Sequence, residues 1–97
     1  MEFRDGALEL YRQWPELLPL LEEASKKIRE YFGAEPTLFL EPFIAPDSPS
    51  EEPSLFLLIS TRTSAEDAGA TMERLEEAWW FDNAHRTDHL HINLEFV

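Results

Sequence analysis

The chain has 97 residues, a formal net charge of −12, 43% hydrophobic and 12% aromatic residues, and no cysteine. That length suits one domain with a modest core, and the cysteine count excludes disulfides and thiolate metal sites. The charge argues against phosphate backbones and anionic membranes as partners, and favours a basic protein drawn in by the field.

The first element expected is a short helix over about Phe3 to Gln13, where Ala7, Leu8, Leu10 and Tyr11 give a rough 3.6-residue period. Trp14-Pro15 stops it, because a residue before proline avoids the helical region. A second helix follows over about Leu18 to Phe32. Pro15 and Pro19 suit a first turn, and Leu17, Leu21, Ala24, Ile28, Tyr31 and Phe32 form one stripe. Glu22–Lys26 and Glu23–Lys27 are favourable pairs on its wet side, and Gly33 is a natural stop.

Thr37 to Ile44 reads as a strand with Leu38 and Leu40 on one side and Phe39, Glu41 and Phe43 on the other. Pro42 lacks a ladder donor, which predicts an edge strand or a bulge. The Pro- and Ser-rich stretch 45–53 reads as a long hairpin connection. Leu55 to Thr61 is apolar without a break through Ile59, the pattern of a central strand covered on both faces.

Thr63 or Ser64 caps the next helix, whose stripe is Ala65, Ala68, Met72, Leu75 and Trp79, and which ends near Asp82-Asn83. Trp79 continues the core stripe. Trp80 lies one step round, above Glu73, Glu76 and Glu77, so it is either the edge of a wide core or a surface anchor for a partner. Trp14 reads as a plug at a helix junction. The last strand, about His89 to Phe96, alternates strictly: Leu90, Ile92, Leu94 and Phe96 against His89, His91, Asn93 and Glu95.

The order ααββαβ predicts an α+β domain over residues 1–97, with a three-stranded, mostly antiparallel sheet and helices packed on one face. It is a ferredoxin-like half without its first strand. The last strand is expected either parallel to the second, through a right-handed crossover, or antiparallel beside the first.

The helix ending Glu76-Glu77-Ala78-Trp79-Trp80-Phe81-Asp82, followed by the strand Leu90 to Phe96, resembles a group of small bacterial proteins with a Trp-Trp helix end. The resemblance implies an association with toxin–antitoxin genes and carries no catalytic residues.

His85, Asp88, His89 and His91 are the only grouping with metal or acid–base potential. His89 and His91 would share a strand face about 6.6 Å apart, and such imidazoles can converge on zinc. A polar strand face accounts for the same pattern. The adjacent acidic pairs read as solvated helix faces, and no serine has a nucleophile context.

The expectation is therefore a non-enzymatic acidic module without cofactor or metal. It would associate with itself as a homodimer, or with a basic protein, through the sheet face that helices leave open. Phe39, Phe43, Trp80, His89 and His91 are the expected contact residues. The alternative is a small metal-dependent or acid–base enzyme on the histidine grouping. No apolar run approaches a membrane span, and the opening Met1-Glu2-Phe3-Arg4-Asp5 is unlike a secretory signal, so the expected setting is the cytoplasm.

Overall fold

A computed structural model describes residues 1–44 and 53–97; the hairpin connection expected over 45–53 lies outside them except for Pro53. The chain begins with a two-residue strand β1 (Glu2–Phe3), then α1 (Ala7–Gln13) and α2 (Leu17–Phe32). The hairpin strands β2 (Thr37–Phe43) and β3 (Ser54–Thr61) precede α3 (Ala65–Leu75) and β4 (Leu90–Phe96).

The sheet has four strands in the order β1-β2-β3-β4, with β1–β2 and β3–β4 parallel and β2–β3 antiparallel. This corrects the expected three-stranded, mostly antiparallel sheet and its ferredoxin-like reading. The sequential order is not that of a ferredoxin-like half. The missed strand is too short to show a period, and Phe3 belongs to it rather than to the first helix. Pro42 is not on an outer strand either. β2 is internal, but β1 pairs only with Phe39 and Leu40, so Pro42 sits where β1 has no residue to pair.

The helices form as their stripes dictate. Leu17, Leu20, Leu21, Ala24 and Ile28 of α2 are buried along one side. Gly33 ends that helix at φ 77°, a region that favours glycine, and its N–H donates to Arg29 O at 3.1 Å. Arg29 donates in turn to the carbonyls of Gly33 and Pro36, which ties the helix end to the start of β2. Ser64 caps α3, its Oγ accepting from the Asp67 N–H at 3.2 Å.

One core joins these stripes to Leu38, Leu40, Leu55, Leu57, Ile59, Leu90 and Ile92, alternate residues of β2, β3 and β4. Each fully buried leucine or isoleucine there contributes roughly 1.5–3 kcal/mol.

Past α3 the helix widens. Glu76–Trp80 is π-helical, with the Phe81 N–H donating to Glu76 O five residues back, and Asn83 Nδ2 donates to Trp79 O at 2.7 Å. The extra residue in this turn carries both tryptophans inward, so Trp79 and Trp80 are both buried, their rings 5.7 Å apart. A helical turn, Phe81–Asn83, and a 3₁₀ turn, Ala84–Arg86, lead on toward β4. Arg86 pairs with Glu23 on α2 and holds this connection against the helices. Among the described residues no helix is long and apolar enough to cross a membrane.

Candidate functional site: the open face of the sheet

Since the helices pack against Leu55, Leu57 and Ile59, the opposite parity of β3 turns Phe56, Leu58 and Ser60 to the other face. Their register partners are Glu41, Phe39 and Thr37 on β2, and His91, Asn93 and Glu95 on β4. This face carries two constructions.

The first is an aromatic row. Phe43 meets Phe56 edge-on at 5.0 Å between ring centres, and Phe56 meets His91 at 5.5 Å. Phe43 and His91 are exposed, while Phe56 between them is half-buried. The geometry is that of packed aromatic neighbours, with one side of the row left to solvent.

The second is a bound guanidinium. Arg4 follows β1 and reaches across the sheet. Its Nη1 and Nη2 donate to the two carboxylate oxygens of Glu95 at 2.7 and 2.6 Å, a two-pronged pair between opposite edges of the sheet. Nη1 also lies 3.3 Å from Glu41 Oε1. The guanidinium carbon stands 4.4 Å from the centre of the Phe39 ring. Three strand spacings separate β1 from β4, roughly 14 Å, so the ion pair passes over the two inner strands. Leu58, in the row between Phe39 and Asn93, is only 7% exposed. The continuous apolar run of β3 is therefore covered on one face by helices and on the other largely by neighbouring side chains of the sheet itself.

The charges reinforce each other. Hydrogen bonding to Arg4 holds the Glu95 carboxyl below the ordinary glutamate range, against the opposing effect of desolvation, and Ser60 adds a smaller effect in the same sense as Arg4. Arg4 in turn is raised above its ordinary value, first by its hydrogen bond to Glu95.

The expected contact residues are distributed as follows. Phe39 lies under Arg4, and Phe43 and His91 lie in the aromatic row. Trp80 is not on this face. The π turn buries it, which corrects its reading as a surface anchor. His89 precedes β4, and its ring stacks on Trp14 at 4.0 Å and 7° between planes, at the junction of α1 and α2. Trp14 thus plugs the junction with His89 as its lid. His89 and His91 consequently contact different aromatic rings rather than each other. Among the described residues no group of three or more His, Asp or Glu side chains is placed to hold a metal ion, so His85, Asp88, His89 and His91 do not form the constellation their proximity in sequence suggested.

Arg4 and Phe56 are the members that sequence reasoning missed; it places Glu95 on the polar side of the last strand, but without its partner. The parity of β3 could have placed Phe56 opposite Leu55 and Leu57. Nothing in the spacing of Arg4 and Glu95 announces a pair 91 residues apart. The chain matches no protein-family model, no curated protein and no solved structure.

Proposed function

We propose that the chain is an acidic, non-enzymatic interaction module of the cytoplasm that docks a basic protein partner on its open sheet face. The observation that supports this most directly is the aromatic row Phe43–Phe56–His91, solvent-facing and set in a chain of charge −12. Exposed aromatics among carboxylates match partners that carry both apolar and basic groups. Phe39, Phe43 and His91 are the contact residues in this reading, and His89 serves the helix junction. An association with toxin–antitoxin genes, implied by the Trp-Trp helix end, belongs to the same proposal.

The test is affinity capture from host lysate with the wild-type chain beside Phe43→Ser and His91→Ala variants, followed by identification of the captured protein and a binding titration with it in purified form. The expected result is a basic protein whose affinity falls at least about tenfold in Phe43→Ser, the loss of one buried aromatic contact. Equal binding by all three chains would refute the role of this face.

Self-association is the second reading, favoured by β4. It is an outer strand seven residues long, and among the described residues nothing pairs with its free edge. Light scattering on the eluting protein decides it. A monomer at 100 μM would set it aside.

A further inference from the structure

The Arg4 guanidinium, its side chain 32% exposed, lies in a shallow cradle on the open face. The Phe39 ring forms its floor, and the Glu95 carboxylate meets the fork with two hydrogen bonds, with Glu41 beside it. The strand that delivers Arg4 is slight. β1 pairs with two residues of β2, although β2 is seven residues long, and one further backbone bond, Arg4 N–H to Leu40 O at 2.9 Å, completes the attachment. Met1, Glu2 and Phe3 are all exposed. A longer extended segment would pair with more of the β2 edge than β1 does, the usual route of strand addition.

We propose that this cradle receives an arginine of a basic protein partner, carried on an extended segment that takes the place of β1, and that Arg4 holds the cradle until then. The inference rests on the reading of the open face as a docking surface, and it names the group that docks. The occupant follows from charge and shape. Glu41 and Glu95 remain at the site when β1 leaves, in a chain of charge −12, which selects a cation. The bidentate contact with Glu95 over an aromatic ring selects guanidinium over ammonium, because lysine offers no planar fork. Arg4 competes from within the chain at a local concentration in the millimolar range, so the free cradle binds tighter than the filled one.

The experiment follows amide shifts of Phe39, Leu58 and Glu95 by NMR as an acetylated, amidated peptide Thr-Val-Arg-Val-Thr is added to wild type and to Arg4→Ala. The expected result is saturable shifts in Arg4→Ala, with binding at least about tenfold tighter than in wild type and tighter than for the peptide with lysine in place of arginine. Arg4→Lys, which keeps the charge without the fork, gives the same ordering if Arg4→Ala does not fold. A folded variant with no saturable shift, or with equal affinity for the lysine peptide, overturns the proposal. If a captured partner binds wild type and Arg4→Ala equally but loses affinity for Phe43→Ser, the cradle is refuted and the open-face reading stands. If neither substitution matters, both fall.

Discussion

Replacing Trp80 distinguishes a π turn that closes the core from a helix end that offers a tryptophan to a partner. Trp80 is 7% exposed and the next residue, Phe81, is 62% exposed. Two adjacent aromatics thus have opposite environments, and the same truncation at each isolates burial from chemistry. Removing a buried tryptophan side chain costs about 3–5 kcal/mol, against a total stability of roughly 5–15 kcal/mol for a chain of this size. At roughly 4–8 °C per kcal/mol, Trp80→Ala lowers Tm by at least about 12 °C. Phe81→Ala stays within about 0.5 kcal/mol of wild type, less than about 4 °C. Trp80→Phe, which keeps an apolar ring, falls between them. Thermal melts followed by circular dichroism, with guanidinium midpoints alongside, measure all three. A Trp80→Ala chain that melts within about 4 °C of wild type, or a Phe81→Ala chain that loses more, would refute the burial of Trp80 beside an exposed Phe81.

Three further outcomes are expected. Ser64→Ala removes the cap that accepts the Asp67 N–H, and costs about 1 kcal/mol; an unchanged denaturation midpoint would show that α3 does not depend on it. The Glu95 carboxyl has a lowered folded-state pKa, so its contribution to stability is complete above the unfolded value near about 4.3 and is lost as pH falls through the folded one. The stability gap between wild type and Glu95→Gln should therefore be open at pH 7 and narrow as pH falls below the unfolded value, and parallel stability curves would contradict the pairing with Arg4. Salt distinguishes the two modes of association. Raising it from 50 to 500 mM weakens capture of a basic partner by screening and strengthens pairing of two like-charged copies, and a partner affinity insensitive to salt would count against electrostatic recognition.

The elements that carry a long apolar period were legible in the sequence. Leu17 to Ile28 set the buried side of α2, and Leu90 and Ile92 set that of β4. Ser64 announced its cap through Asp67 three residues on. Three features were not legible, each for a physical reason. β1 has two residues, and a two-residue strand has no period to read. The parallel pairing of β3 with β4 depends on how α3 packs, which the alternation along β4 leaves open. Trp80 is one step off an α-helical stripe, and only a turn bonded five residues back brings it to the side of Leu75 and Trp79. The site divides in the same way. Alternation placed Phe39, Phe43 and His91 on one side of their strands, whereas the partnership of Arg4 with Glu95 depends on the order of four strands and exists only once the sheet is assembled.

The weakness that hid β1 from sequence reasoning also separates the cradle from the stability of the domain. The core begins at Ala7, after the turn at Gly6, and includes no residue of β1. Phe3 contributes a ring 5.8 Å from Tyr11 at the margin, and the ladder with β2 is two residues long. Leu38, Leu40, Leu55 and Leu57 belong to the core with residues of α1, α2 and α3, and Ala7 of α1 is bonded back to Arg4 through its N–H. Departure of β1 with Arg4 would uncover the Phe39 ring and the Glu95 carboxylate on the open face. In the proposed exchange the guanidinium opposes departure, because its two bonds to Glu95 tie this segment to β4.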